Sequence, residues 1–412
     1  MRSQTWKSCL AVLCLMAAGT ANAAKISFSE KGFIDVGGLV QAQYRIEQDA
    51  AGSGSDPSND FLLRRARLII AGQFNDNIGF LVDTDVSYGA ISSAIGANQT
   101  TPGQISTATN NNIYLLDAVA TYKVSKELIL DAGLMLLPSM NHNGLTSGSR
   151  YASVNNFIQY FSPNSQRGTR DVGVELRGLL LDDRLYYRLG VFNGVQSRAT
   201  ITAGTPPVTA PGINPGDAPR VAGTLRFNIA GKEDGYAFCQ VCFAKSPIIS
   251  VGVGADFQAN AFRGTAFTGP GVSHTTGMGS WTTGNADIFA DWPFSEDVEL
   301  TLDLAFAKIW AGDDTPQSGT AIQGLLSLRF GILGPYFQME YFDSATTYVG
   351  RGSTVGNVTT YRGGLSLYVV QHTYKISAEF AYQQKEKANE TIDGTLIPPN
   401  HWVGTLQFQA SF

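Results

Sequence analysis

The sequence has 412 residues, a formal net charge of −5, 43% hydrophobic residues and four cysteines. This composition excludes a basic nucleic-acid-binding protein and a small secreted domain stapled by many disulfides. Beyond the first 23 residues, no uninterrupted apolar stretch reaches the roughly 20 residues of a membrane-spanning helix, which excludes a helical membrane protein.

The N-terminal segment has the pattern of a secretory signal peptide. Basic residues Arg2 and Lys7 precede an apolar run at 9–18, and small residues frame a cleavage site after Ala23. We therefore expect residues 1–23 to be removed. Without Arg2 and Lys7 the chain keeps 29 − 2 = 27 basic residues against 34 acidic ones, a net charge of −7. No linker or charge block divides residues 24–412, which predicts a single domain.

From residue 32 onwards, apolar and polar residues alternate with a period of two, the pattern of strands with one apolar and one polar face. In the first segment Val40 and Tyr44 lie on the apolar face, and Gln41 and Gln43 lie on the polar face. In a later one, Tyr114 is predicted on the apolar face together with Leu116, Ala118, Ala120 and Tyr122. About sixteen such strands can be counted, an even number within the range of bacterial outer-membrane barrels.

Two features favour a transmembrane antiparallel β-barrel over a soluble sandwich. Long polar loops, such as 91–112, alternate with short turns, such as 75–77, as extracellular loops alternate with periplasmic turns. Charges of both signs lie in mid-strand on the polar face, which suits a water-filled lumen: Arg65, Arg67, Asp83, Asp85, Glu175, Arg177, Glu299 and Asp303.

Aromatic residues at strand ends fit an interfacial girdle: Tyr44, Tyr88, Tyr122, Trp292 and Trp402. The last strand also alternates and ends on Phe412, which resembles the signature by which such barrels are handed to their assembly machinery. We expect export to the cell outer membrane, with contacts to its lipid and lipopolysaccharide.

Three stretches resemble the phosphate-selective porin O/P family: FLLRRARLIIAGQF at 61–74, the segment 131–137 leading to Pro138, and RDVGVELRGLLLDDRLYYRLGVFNG at 170–194. The resemblance implies a sixteen-stranded homotrimeric porin whose third loop folds inward, and some members select phosphate through basic channel residues. Residues 137–169 would be that constriction loop.

The constriction loop and its surroundings predict an anion preference. No acidic residue occurs between Asp131 and Asp171, and basic residues in a narrow pore favour anions. The candidate pore-lining or anion-binding residues are Arg65, Arg67, Lys123, Arg150, Arg167 and Arg170. Neighbouring carboxylates can instead neutralise such arginines across strands, so dedicated phosphate selectivity and general anion preference both stay open.

The remaining candidate sites are better explained structurally. Cys239 and Cys242 have CxxC spacing but no further ligands for zinc or haem, which favours a local disulfide in an expected periplasmic turn. The histidines, His142, His274, His372 and His401, are expected at the surface in loops or at strand ends.

The sequence thus predicts a porin for passive diffusion of small hydrophilic solutes, with small anions as permeating solutes. It predicts no catalytic residues, enzyme activity, metal, cofactor or nucleic-acid partner. Two alternatives stay open: an adhesin or receptor acting through long loops such as 194–219, and a barrel hydrolase.

Overall fold

The computed structural model describes residues 24–51, 53, 55–87, 112–154, 169–197, 200–202, 208–210, 212–233, 235, 236, 238–269, 272–311, 318–344, 348–350, 353–355, 357–385 and 400–412. The predicted signal peptide at 1–23 lies outside these residues. In the described part of the chain, no helix has the length and apolar character needed to cross a membrane. Its one short helix, α1, spans His142–Leu145.

The described residues form 21 strands. They are β1 Ala24–Ser27, β2 Phe33–Glu47, β3 Ser58–Gln73, β4 Ile78–Ser87, β5 Asn112–Lys123, β6 Ile129–Leu136, β7 Arg170–Leu180, β8 Leu185–Phe192, β9 Thr200–Thr202, β10 Val208–Ala210, β11 Arg220–Ala230, β12 Ile248–Gly269, β13 Val272–Pro293, β14 Val298–Trp310, β15 Gly319–Phe330, β16 Leu333–Ser344, β17 Tyr348–Gly350, β18 Ser353–Val355, β19 Val358–Val370, β20 Tyr374–Lys385 and β21 Asn400–Ser411.

Sixteen of these strands close into an antiparallel barrel, as the alternation predicts. Each pairs with its neighbour along the chain, and β2 pairs with both β3 and β21, from Leu39 opposite Ser411 to Glu47 opposite Val403. The first strand, β1, extends the line of β21 by pairing with Phe33 to Val36 of β2. The pairs β9–β10 and β17–β18 are small separate hairpins.

The barrel has a short-turn end and a long-loop end, as predicted. At the short-turn end lie the connections 74–77, 124–128, 181–184, 294–297, 331–332 and 371–373. The connection 231–247 between β11 and β12 lies at the same end and is much longer. The outer surface is apolar: Leu189, Leu304, Phe337 and Phe408 are each about half exposed.

The close approach of the last residue to β2 requires a glycine. Gly38 N–H donates to the Phe412 carbonyl at 2.9 Å, and Phe412 N–H donates back at 3.0 Å. A Cβ at Gly37 would lie 2.7 Å from the Phe412 carbonyl oxygen, a backbone atom held in the ladder, and one at Gly38 would lie 2.6 Å from the end of the Phe412 ring.

A β-bulge in β5 changes which of its residues face the lumen, so one prediction from the alternation is wrong. The register of β5 against β4 shifts at Leu116, so that Asp83 faces Asp117 while Asp85 faces Tyr114. The extra residue reverses the alternation above it, and Ile113 and Leu115 become exposed on the outer surface. The prediction that Tyr114 faces outward with Leu116 is therefore wrong; Tyr114 lies near Asp85 on the lumen side.

We predict that Gly133→Ala destabilises the barrel. Gly133 has φ +133°, and a Cβ there would lie 2.0 Å from the Ala118 carbonyl of the neighbouring strand. A strained backbone of this kind costs about 1 to 3 kcal/mol before the clash is counted. Urea unfolding of the refolded protein in phospholipid vesicles, followed by tryptophan fluorescence, measures the loss. Gly363→Ala is the control, because a Cβ there meets nothing within 4 Å. Equal stability of the two variants would contradict the prediction.

Candidate functional site

The lumen wall from β3 to β8 carries arginines paired with carboxylates. Arg67 Nε lies 2.9 Å from Asp85 Oδ2, and Arg170 Nη2 lies 3.3 Å from Asp117 Oδ2. Further along, Arg188 Nε lies 2.7 Å from Glu175 Oε1, and Arg177 is bonded to Asp131. Every pair except Arg170–Asp117 joins adjacent strands. These are charge-assisted contacts that fix each guanidinium against the wall.

The opposite wall has the same kind of pairs, but they are buried. The salt-bridged arginine side chains on β3 to β8 are 13 to 19% exposed, whereas those on β11 to β19 are 0 to 8% exposed. The first group is Arg67, Arg170, Arg177 and Arg188, and the second is Arg220, Arg226, Arg329 and Arg362. Arg65 of β3, which donates to Gln41, is also buried. Among the described residues, water therefore reaches the interior chiefly along β3 to β8.

The buried half is filled partly by the lumen loop, which we define as residues 137–154. Its backbone is held by polar side chains of the wall on three sides. Asn285 of β13 donates to the Ser139 carbonyl at 2.5 Å, Gln41 of β2 donates to Gly148 at 3.0 Å, and Ser366 of β19 donates to Ala152 at 2.8 Å. These contacts place residues 137–154 inside the barrel. The constriction role of 137–169 stays a prediction.

Inside the lumen loop, α1 presents His142 to the wall and to the connection 231–247. Asn141 caps the helix by accepting the Gly144 N–H at 2.9 Å. The His142 ring stacks on Phe289 with centroids 3.8 Å apart and has no exposed surface. The surface location predicted for His142 is therefore wrong. An imidazole buried in this way needs polar or charged partners, because burying an unpaired polar group costs free energy.

Two carboxylates hold the His142 ring. Nδ1 lies 3.1 Å from Asp303 Oδ2 of β14, and Nε2 lies 3.3 Å from Glu233 Oε2. Burial opposes the charged ring, but the two carboxylates outweigh it and raise the pKa of His142 to about 9. For Glu233, burial is outweighed by Arg226 and His142, which lower its pKa to about 2. We call this ion pairing of His142 the histidine clamp.

Of the predicted anion-binding residues that the structure describes, Arg65, Arg67 and Arg170 lie within electrostatic reach of Tyr151 on the lumen loop. Arg65 is buried and donates from Nη1 to Gln41 Oε1 at 2.6 Å, close to Gly148 of the lumen loop. Arg150 lies on that loop, where its N–H donates to the Ser147 carbonyl at 2.8 Å. Lys123 is the exposed last residue of β5, beside the short turn 124–128, and so lies at the mouth rather than at the constriction.

The other three predicted anion-binding residues are Arg67, Arg170 and Arg167. Arg67 and Arg170 belong to the paired wall described above, beside Asp85 and Asp117. Arg167 lies outside the described residues. Sequence reasoning missed Arg177 and Arg188 as candidates, although their positions on the polar face of β7 and β8 could have identified them.

The connection 231–247 is the second missed feature. Predicted as an ordinary periplasmic turn, it folds into the barrel, where Phe238, Gln240 and Val241 are buried. Cys239 Sγ and Cys242 Sγ are joined in a disulfide within it. No group of three His, Cys, Asp or Glu side chains suited to a metal ion occurs in the described part of the chain.

Solved structures of outer-membrane barrels share this architecture. The structure resembles the anion-selective porin from Comamonas acidovorans (TM-score 0.55, 9% identity, 93% of this chain and 100% of that one). It also resembles OmpF of Salmonella typhi in complex with daunomycin (0.53, 10%, 94% and 100%) and a trimer form of the outer membrane protein OmpT of Vibrio cholerae (0.52, 10%, 93% and 100%).

Because the sequence identities are low, these likenesses establish the fold alone. No family model matches the sequence, and no curated protein matches it either. The resemblance to the phosphate-selective porin O/P family therefore gains support only at the coarser level of an outer-membrane porin fold.

We predict that the histidine clamp opens at alkaline pH. The folded-state pKa of His142 lies above its ordinary value of 6.5, so the clamp is fully charged below pH 6.5 and is lost as the pH rises through about 9. The groups facing the ring are Asp303 of β14, Asp287 of β13, Arg226 of β11 and Glu233. We expect current fluctuations in planar bilayers to increase between pH 8 and 10.

The control for this measurement is His142→Gln, which keeps hydrogen-bonding capacity but has no proton to lose in this range. It should show the same fluctuations at pH 7 and pH 10. A pH step of equal size in His142→Gln and the unmodified protein would assign the effect to other groups.

Proposed function

We propose that this protein is an outer-membrane porin through which small hydrophilic solutes diffuse passively, with a preference for anions. Export through a signal peptide at 1–23 belongs to this proposal. The sixteen-stranded barrel, the polar interior and the likeness in fold to porins support it. One barrel of the same fold, from Comamonas acidovorans, is an anion-selective porin.

One observation carries the anion preference: in each ion pair on the lumen wall from β3 to β8, the arginine side chain is more exposed than its carboxylate partner. Side-chain exposure is 14% for Arg67 against 5% for Asp85, and 19% for Arg177 against 6% for Asp131. The pairs Arg170–Asp117 (18% and 11%) and Arg188–Glu175 (13% and 0%) follow the same order.

Each pair is neutral as a whole. Because its arginine is the partner more exposed to the lumen, the inner surface of the wall is positive. Coulomb energy falls with distance, so a permeating ion close to the guanidinium interacts more strongly with it than with the carboxylate behind it. Low-dielectric walls around a narrow path strengthen the effect. Selection would then depend on pore radius and on this ring of charge.

A trimer is part of the proposal, because one barrel of the same fold was obtained in a trimer form. Phosphate binding is a narrower version of the anion preference. It would require a current blocked by added phosphate, whereas general anion preference would leave the chloride current intact.

We predict that the double variant Arg177→Gln with Asp131→Asn lowers anion selectivity. It removes one oriented pair without leaving a buried carboxylate unpaired. The permeability ratio of chloride to potassium should fall by roughly twofold, the scale of a Coulomb energy of about 0.4 kcal/mol in a water-filled pore. The reversal potential under a KCl gradient in a planar bilayer measures this ratio.

The matched control is Arg220→Gln with Asp256→Asn, a pair whose side chains are both fully buried. Its reversal potential should equal that of the unmodified protein. Cation selectivity in the unmodified protein would overturn the anion preference but leave a porin, and a folded protein without conductance would overturn the porin proposal.

A further inference from the structure

The connection 231–247, named here the inner turn, differs from the other connections at the short-turn end. Those described at that end have two to five residues, whereas the inner turn has 17. Its Phe238, Gln240 and Val241 side chains retain at most 2% of their exposure. Side chains that are this deeply buried lie inside the barrel and not in the water at its short-turn end.

The inner turn binds the lumen loop directly. Gln240 N–H donates to the Arg150 carbonyl at 3.1 Å, and Gln240 Oε1 accepts the Ala152 N–H at 2.8 Å. Ser147 N–H donates to the Phe238 carbonyl at 3.3 Å. Glu233 adds its contact with the histidine clamp. Two segments that start from opposite ends of the barrel are thereby joined inside it.

The same turn is also fixed to the wall. Cys242 N–H donates to Glu299 Oε1 at 3.1 Å and to Asp291 Oδ2 at 3.2 Å. His372 Nε2 is 2.6 Å from the Val241 carbonyl, and Arg329 lies over the Phe243 ring at 4.8 Å. These contacts lie on β13, β14, β15 and the turn 371–373, the side where the wall arginines are buried.

The disulfide shapes the tip of the inner turn. Cys239 and Cys242 close a ring around Gln240 and Val241. This ring limits the conformations of the two tip residues, which make contacts on opposite sides: Gln240 with the lumen loop and Val241 with His372. A tip held in this way loses less conformational entropy on docking than an open segment would.

We propose that the inner turn and the lumen loop form one internal plug that sets the open cross-section of the channel, with Gln240 as the latch between the two segments. The plug fills the lumen along β11 to β20 and also reaches β7 and β8, where the Tyr236 ring lies 4.1 Å from the Arg177 guanidinium and Phe238 packs on Tyr186. The remaining path is bounded by β3 to β8 and by these two rings. This inference rests on the porin proposal above, because it concerns the width of the same path.

The decisive experiment replaces residues 233–245 by a short Asn-Gly turn and measures single-channel conductance in planar bilayers. Folding is checked beforehand by resistance to denaturant in vesicles. We expect conductance to rise about twofold or more, because pore radius limits the current. The matched control is Lys31→Ala, which removes an exposed ion pair with Asp76 at the same end of the barrel and should leave conductance unchanged.

Two gentler variants test the latch without shortening the chain. Gln240→Ala removes the side-chain acceptor of Ala152, and the double variant Cys239→Ser with Cys242→Ser opens the ring. Both should conduct between the unmodified protein and the turn replacement, with larger current fluctuations. These variants keep the inference testable if the turn replacement does not fold.

The outcomes separate this inference from the porin proposal. A conductance of the turn replacement above that of a conducting unmodified protein supports the plug. An unmodified protein that conducts, with folded variants of identical conductance and noise, overturns the plug and leaves the porin. Absence of conductance in all folded proteins overturns the porin proposal and the plug with it.

Discussion

The pairing of β2 with β21 leaves the sixteen-stranded sheet without a free edge, and the arrangement of everything inside the barrel follows from that closure. In hydrocarbon each unpaired backbone N–H or C=O costs several kcal/mol, so a membrane-spanning sheet has to close. Phe412 completes the ladder through two bonds to Gly38 at 2.9 and 3.0 Å, and its carbonyl comes too close to Gly37 for a side chain there. Closure then forces the polar face of every strand inward.

A polar interior can be satisfied by water or by protein, and this barrel uses both. Along β3 to β8 the arginines retain contact with water, whereas on the opposite side the lumen loop and the inner turn take its place. Carbonyl groups of the lumen loop accept from Gln41, Asn285 and Ser366, which in an open pore would bind water. Buried polar groups without such partners would be costly, so the plug and the polar wall depend on each other.

The sequence predicts the strands and the barrel well, because a period of two depends only on local side-chain direction. It fails where one inserted residue changes the direction: the bulge at Leu116 turns Tyr114 inward, and nothing in the alternation marks it. It fails also for segments whose burial depends on distant strands. His142 lies in a loop by sequence, yet Asp303 and Glu233, far away in the chain, make its burial favourable. The 17-residue length of the inner turn and its apolar residues Phe238 and Phe243 were the signals available.

The charge of the whole chain is a poor guide to the charge that an ion meets in the lumen. At physiological ionic strength the Debye length is about 8 Å, so acidic residues in the exposed turns and loops are largely screened from the path. The proposed anion preference therefore depends on the local order of charges on the β3 to β8 wall, where Arg177 is more exposed than Asp131 and Arg188 more exposed than Glu175. Exchanging the depth of the two partners would reverse the inner surface potential without changing the composition at all. An acidic protein can therefore line its pore with positive charge, because side-chain depth rather than residue count sets the field at the lumen.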